Sequence, residues 1–221
     1  MTESININEF IPELLPIEKS NHQQLNEIKK NLIKMIVNRG FILKENEDKY
    51  IDKIIKQDND DQEYEIQLDN ESNYNTTIKN KKILVKIFDY KITSINKTSP
   101  IGEFIIKNDK NYKILIVQDI NQKSNNIINS YESPTEIFKL KHLMLNIVDN
   151  VLVSKHIPLN MEETDRFLKE NCVKKSQMPY ILTNDAVARY YNMKPHQVVK
   201  IIRSSEQSVW EVGYRYVRDS S

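Results

Sequence analysis

The chain has 221 residues, a length that suits one large or two small domains. Its 32 basic and 31 acidic side chains leave a formal net charge of +1, so no whole-molecule field draws nucleic acid or an anionic membrane, and any DNA contact has to come from a local patch. Only three glycines occur, Gly40, Gly102 and Gly213, too dispersed for a phosphate-cradling P-loop or a dinucleotide-binding turn. The single cysteine, Cys172, can build neither an internal disulfide nor a cysteine-rich zinc site, and is expected of a reducing, intracellular compartment. The opening MTESININEF has no basic or apolar signal-peptide region. The richest apolar run, LMLNIVDNVLV, is interrupted by Asn146, Asp149 and Asn150, which excludes a membrane span.

Residues 1–19 read as a lead-in around Pro12 and Pro16. A helix is expected from Ser20, which forms a capping box with Gln23. Its apolar stripe is Leu25, Ile28, Leu32, Met35 and Ile36. Arg39 and Gly40 supply a basic last turn and a terminating glycine. A weaker helix is expected over 46–56. Residues 57–81, acidic around Asp58, Asp60 and Asp61, read as a polar surface loop or poorly ordered insertion. KILVKIF (82–88) and YKILIVQ (112–118) are short and rich in Ile and Val, like buried strands, with a helix expected near 100–108 between them. Residues 134–142 read as a helix with Pro134 in its first turn, and LMLNIV (143–148) as a third strand. The sum is an α/β domain over 20–148.

Beyond it, VLVSKHIPL (151–159) reads as a strand entering a loop. Asn160 and Glu163 cap a helix to about Glu170, and Thr183 or Asn184 caps another with Val187, Tyr190 and Tyr191 on one face. QVVKIIR (197–203) is a further strand. In WEVGYRYV (210–217), Trp210, Val212, Tyr214 and Tyr216 alternate with Glu211, Gly213 and Arg215, which predicts a strand with one buried face. This second domain, over 149–221, is small and α+β.

Little in the chain suggests catalysis. His22, His142, His156 and His196 lie far apart, and a hydrogen-bonded structural role is expected for His156. Cys172 has Lys174 and Lys175 nearby but reads as a buried or half-exposed thiol without a chemical role. Asp89-Tyr90-Lys91, after an apolar strand, matches the acid-x-Lys of metal-dependent nucleases, although a charged strand end meeting water explains it as well. Lys123 and Ser124, in what reads as a polar loop, DINQKSNN, after a buried strand, suit sequence-independent phosphate contact.

A family resemblance carries more. MPYILTNDAVARYYNMKPHQVVKIIRSSEQSVWEVGYRYV (178–217) resembles the C-terminal domain of the fifth shared subunit of eukaryotic RNA polymerases, a family with an archaeal counterpart. The matching residues are Asp185 with VARYY (187–191), QVVKIIR (197–203), Ser205-Glu206 and Tyr214-Arg215, and LVSKH (152–156) resembles the entry to that domain. The first helix into RGF (39–41) and ILIVQD (114–119) are similar, more loosely, to the family's eukaryotic jaw domain. Archaeal members lack that domain. The two-part layout, with abundant Asn, Ile and Lys, therefore suggests a eukaryotic host or an AT-rich large DNA virus that infects one. Tyr180, Ala186, Asn192, Pro195-His196 and Ser204 depart from the family pattern.

The resemblance implies a non-catalytic subunit that docks on the largest polymerase subunit and forms part of the lower jaw near downstream DNA. The jaw would be restriction-nuclease-like without an active site, with catalysis in the two largest subunits. It implies no cofactor, metal, membrane or small-molecule substrate, and a place in the nucleus, or in the virion and viral factory. Asp185, Arg189, Tyr190, Tyr191, Gln197, Lys200 and Arg203 are the candidate partner contacts, and Lys123 and Ser124 the candidate contacts to the DNA backbone. Two competing readings are a metal-dependent nuclease using Asp89 and Lys91, and a free-standing regulator occupying the polymerase docking site.

Overall fold

The computed structural model describes residues 20–57, 62–69, 82–131, 134–205 and 209–219. The lead-in 1–19, the acidic positions 58–61, residues 70–81 and Glu206 lie outside the described residues. Helix α1 (Asn21–Asn38) starts at the expected cap: the Ser20 hydroxyl accepts the Gln23 N–H and the Gln23 side chain accepts the Ser20 N–H. It closes through Gly40, at φ +78°, with the Gly40 N–H donating to Val37 and the Phe41 N–H to Ile36, the closure a left-handed residue permits. Ile28, Leu32, Met35 and Ile36 are buried and Leu25 packs beside them. Arg39 does not serve the last turn as a surface cation; it is 2% exposed.

Helix α2 (Glu47–Lys56) follows one 3-10 turn. Strand β1 (Glu63–Gln67) then occupies part of the stretch expected to be polar loop. Its acidic composition hides a two-residue alternation: Tyr64 and Ile66 are buried, while Glu63 and Glu65 pair with Lys86 and Lys82 on the neighbouring strand. Strands β2 (Lys82–Ile92) and β3 (Tyr112–Ile120) run parallel across α3 (Pro100–Lys107), and β3 runs parallel to β4 (Thr135–Lys139) across α4 (Gln122–Ser130). The sheet order is β1-β2-β3-β4. Ile83, Val85, Ile87, Ile114 and Ile116 join the core beneath α1 and α2; Leu84, Phe88, Leu115 and Val117 join the core beneath α3 and α4. Burial on both faces is why β2 and β3 read as continuous apolar runs.

Three expectations fail between 119 and 148. The polar stretch after β3 is the helix α4, capped by Asn121. Residues 134–142 open as strand β4, not helix: the Pro134 carbonyl accepts the Lys113 N–H at 2.9 Å and the next five residues pair with β3. That ladder outweighs the helix-start signal of the proline. The segment 143–148 is not a strand either. It follows the short helix α5 (Leu140–Leu143) into a 3-10 turn at Ile147–Asp149, with Leu145 80% exposed.

The second sheet has the order β5-β7-β8-β6. Strand β5 (Lys155–Pro158) is shorter than expected, because Val151 and Leu152 stand exposed in turns before it. Helix α6 (Met161–Glu170) has the expected Asn160–Glu163 capping box. After β6 (Tyr180–Leu182) come α7 (Ala186–Tyr190), β7 (Val198–Ser205) and β8 (Val209–Arg218). Their core is Ile181, Val187, Ala188, Met193, Val199 and Val217. The expected buried face of β8 holds only in part: Tyr214 and Tyr216 are half-buried, but Trp210 and Val212 are 65% and 46% exposed, and Val217, on the opposite side, is buried. Helix α6 reaches only Tyr214, whose ring lies 4.2 Å from that of Phe167, and the strand runs on past it. No described helix is long and apolar enough to cross a membrane.

Candidate functional site

Most candidate partner residues fall on or beside α7, and the local chemistry turns several of them inward. Asp185, not Thr183 or Asn184, caps the helix, accepting the Val187 N–H at 2.8 Å and the Ala188 N–H at 3.4 Å. The i, i+4 pair of Asp185 with Arg189 therefore does not form an ion pair. Tyr190 is 5% exposed and sits in the α1 core, its hydroxyl accepting from Asn38 at 2.8 Å. Burial drives that phenol well above its ordinary pKa. Tyr191 meets it edge-on at 5.1 Å and packs against both the α1 core and the C-terminal core. Asn192, at φ +49°, holds the left-handed angle that glycine supplies in the resembled family and donates to the Tyr112 hydroxyl at 2.8 Å.

Arg39 meets α7 from the first part of the chain. Its guanidinium forks onto Glu136 at 2.9 and 2.8 Å and donates to the carbonyls of Tyr190 at 2.7 Å and Arg189 at 3.1 Å. Arg189, half-buried, donates to the Ile137 carbonyl at 2.6 Å. Both guanidinium groups lie over the Phe138 ring, at 5.9 and 5.4 Å. This junction joins the two sheets, and no local motif announces it.

The other candidates divide. Gln197 is 2% exposed and engaged with Lys194 and Leu159, so it supports its own fold and does not face a partner. Lys200 is half-buried in β7. Arg203 is exposed and pairs with Glu211 across the β7–β8 ladder at 2.9 Å. That pair holds the arginine pKa up and the glutamate pKa down. Trp210 and Val212 form an exposed stripe on the same hairpin, on the face opposite the Arg203–Glu211 pair; Val209 is also exposed, and Tyr180 is 56% exposed on β6. The alternation that marks this stripe is plain in the sequence, but it reads there as core.

Ser124 is 1% exposed in α4 and cannot reach a DNA phosphate; Lys123, one residue earlier, is exposed. Asp89 and Lys91 are exposed at the end of β2. Lys91 lies 3.6 Å from Asp119, which Lys139 also contacts at 2.6 Å. The hydrogen bond from Lys139 holds that carboxyl below its ordinary range. Among the described residues, no three His, Cys, Asp or Glu side chains converge as metal ligands. His156 is a structural histidine: Nδ1 lies 2.6 Å from the Ser154 carbonyl. Cys172 is exposed, not buried, at the left-handed position that ends α6.

Residues 145–217, which hold the four-stranded α+β module entered through the Val153–His156 segment, match the RNA polymerase Rpb5 C-terminal domain. The chain is similar to fifth subunits of DNA-directed RNA polymerases. It is 45% identical over 80 residues to the rpabc1 subunit of RNA polymerases I, II and III of Dictyostelium discoideum, covering 36% of this chain and 41% of that protein. It is 28% identical over 139 residues to RNA polymerase V subunit 5A of Arabidopsis thaliana, covering 62% and 63%. These alignments span less than two thirds of either relative. RNA polymerase subunit 5 of Acanthamoeba polyphaga mimivirus is 26% identical over 209 residues, covering 92% of this chain and 97% of that protein.

Proposed function

We propose that the chain is a non-catalytic structural subunit of a multisubunit DNA-directed RNA polymerase. The observation that carries this reading is the match of residues 145–217 to the Rpb5 C-terminal domain, joined to similarity with a viral subunit 5 along 92% of the chain. In this reading the region 149–221 docks on the largest subunit. The region 20–148 forms a restriction-nuclease-like jaw beside downstream DNA, and polymerisation belongs to the two largest subunits. The chain would work in the nucleus, or in a virion and viral factory.

Burial redistributes the candidate contacts. With Tyr190 and Gln197 inside the molecule, docking falls to the exposed end of the β7–β8 hairpin: Trp210 and Val212 on one face, Arg203 on the other, and Val209 beside them. Aromatic side chains and arginine are enriched in the energetically dominant part of interfaces. For DNA, the reading keeps Lys123 and drops Ser124. The test is affinity purification of the tagged full chain from the cells that express it, followed by mass spectrometry. Both large polymerase subunits are expected in equal proportion to the chain. Recovery as a solitary monomer overturns the proposal, and recovery in substoichiometric amounts with an active polymerase favours the free-standing regulator.

A further inference from the structure

Arg189 lines three cavities at the junction of the two sheets. It is half-buried, and among the described residues its guanidinium makes one hydrogen bond, to the Ile137 carbonyl, and feels the Glu136 carboxylate only from beyond ion-pair distance. A guanidinium taken partly out of water with no ion pair of its own, its nearest carboxylate already forked by Arg39, is costly, and the cavity walls show what would relieve that cost.

We propose that the cavity between α4, the end of β4 and the turn before α7 is a phosphate-binding site. It has a volume of about 410 Å³, within the range of ligand pockets. Gln122, Asn125 and Asn129 line it from one face of α4; Lys139, Asn184 and Arg189 line it from the other side. Every polar side chain of the lining can donate a hydrogen bond, and no carboxylate lines it. The side chains of Asn125, Asn129 and Asn184 make no hydrogen bond within the described residues. The carboxylates nearby are committed: Glu136 to Arg39, Asp219 to the Thr183 hydroxyl, and Asp119 to both Lys139 and Lys91. With Asp119 shared between two ammonium groups and Glu136 acting on two guanidinium groups, the locality carries excess positive charge. His142 next to it reports the same potential: burial first, then Arg189, Lys141 and Lys139, holds its imidazole below the ordinary range.

Phosphate fits this donor set better than a carboxylate. A carboxylate presents two oxygens, which a single guanidinium fork satisfies, whereas a phosphate presents at least three strong acceptors to two cations and several amides. The phosphate could belong to a free nucleotide or to a nucleic-acid backbone. The inference does not rest on the polymerase reading, since binding is read on the isolated full chain whether or not it joins a polymerase.

The test follows the side-chain amide resonances of the full chain while inorganic phosphate, adenosine monophosphate and a short DNA duplex are added separately. Saturable shifts of the Asn125, Asn129 and Asn184 amides by inorganic phosphate are expected. Asn125→Asp, which places an anion in the cavity, should weaken this binding by about tenfold or more, as loss of a charge-assisted hydrogen bond implies. Lys107→Ala, exposed on α3 and outside the lining, should leave it unchanged. Lys139→Met supplies the same test away from α4 should Asn125→Asp fail to fold. A preference for the nucleotide identifies a free ligand; duplex binding lost in Asn125→Asp identifies the backbone. The proposal is overturned if phosphate produces no saturable shift or if both cavity variants bind as the parent does.

Discussion

Two buried cations show how much a single residue does in this molecule. Arg39 carries an ion pair and two carbonyl contacts across the junction. Arg39→Met is expected to lower unfolding stability by about 3–5 kcal/mol, because it strands the Glu136 carboxylate. Adding Glu136→Gln should recover part of that loss; urea denaturation of both variants checks the pair, and equal losses would assign the cost to the carbonyls instead. Lys113 is fully buried, its ammonium enclosed by the carbonyls of Asn108 and Asn111 at 2.6 and 2.9 Å, and burial pulls its pKa down to about 8. The unfolded lysine titrates near about 10.4. Below pH 8 the residue is charged in both states and the full cost of burying the charge is present. As pH rises from 8 towards about 10.4, the folded chain has released a proton that the unfolded chain still holds, so this contribution to stability increases. Unfolding free energies measured across that window should rise for the parent relative to Lys113→Met, and a constant difference between the two would refute the assignment. Neither cation is legible as buried: Arg39 follows a helix and precedes glycine, the pattern of a surface last turn, and Lys113 merely interrupts an apolar run.

At the level of elements, the readable parts are those whose information is local. The Ser20–Gln23 and Asn160–Glu163 capping boxes lie within three residues, and both helices start where they say. The stretch 134–142 is ambiguous in principle, since Pro134 suits a helix start and a strand edge equally, and only the ladder with β3 decides. The alternation in β8 tells which face is apolar but not what covers it. Helix α7, five residues long, is too short to persist unaided and depends on its cap. Asp185→Ala should cost about 1 kcal/mol and Asp185→Asn much less, as thermal or chemical unfolding would show. The hairpin stripe behaves oppositely if it is a docking surface. Trp210→Asp is expected to leave the melting temperature unchanged while removing the large polymerase subunits from affinity purification; undiminished recovery would send docking elsewhere.

For the whole molecule, the decisive contacts are the least local. Asn38 reaches Tyr190, Arg39 reaches Arg189 and Tyr190, and Tyr112 meets Asn192, across separations of 80 to 152 residues. No periodicity or motif encodes such a meeting, so the existence of two sheets can be read while their connection cannot. Shared burial of Tyr190 and Tyr191 predicts that the sheets melt together. Calorimetry should show one transition for the parent, and Arg39→Met should broaden or split it. The clasp around Phe138 has a further consequence for assembly. The bearing of the hairpin relative to α4 is set before any partner arrives, so the chain acts as a bracket: whichever end is seated first aims the other, and no entropy remains to be lost in choosing the angle.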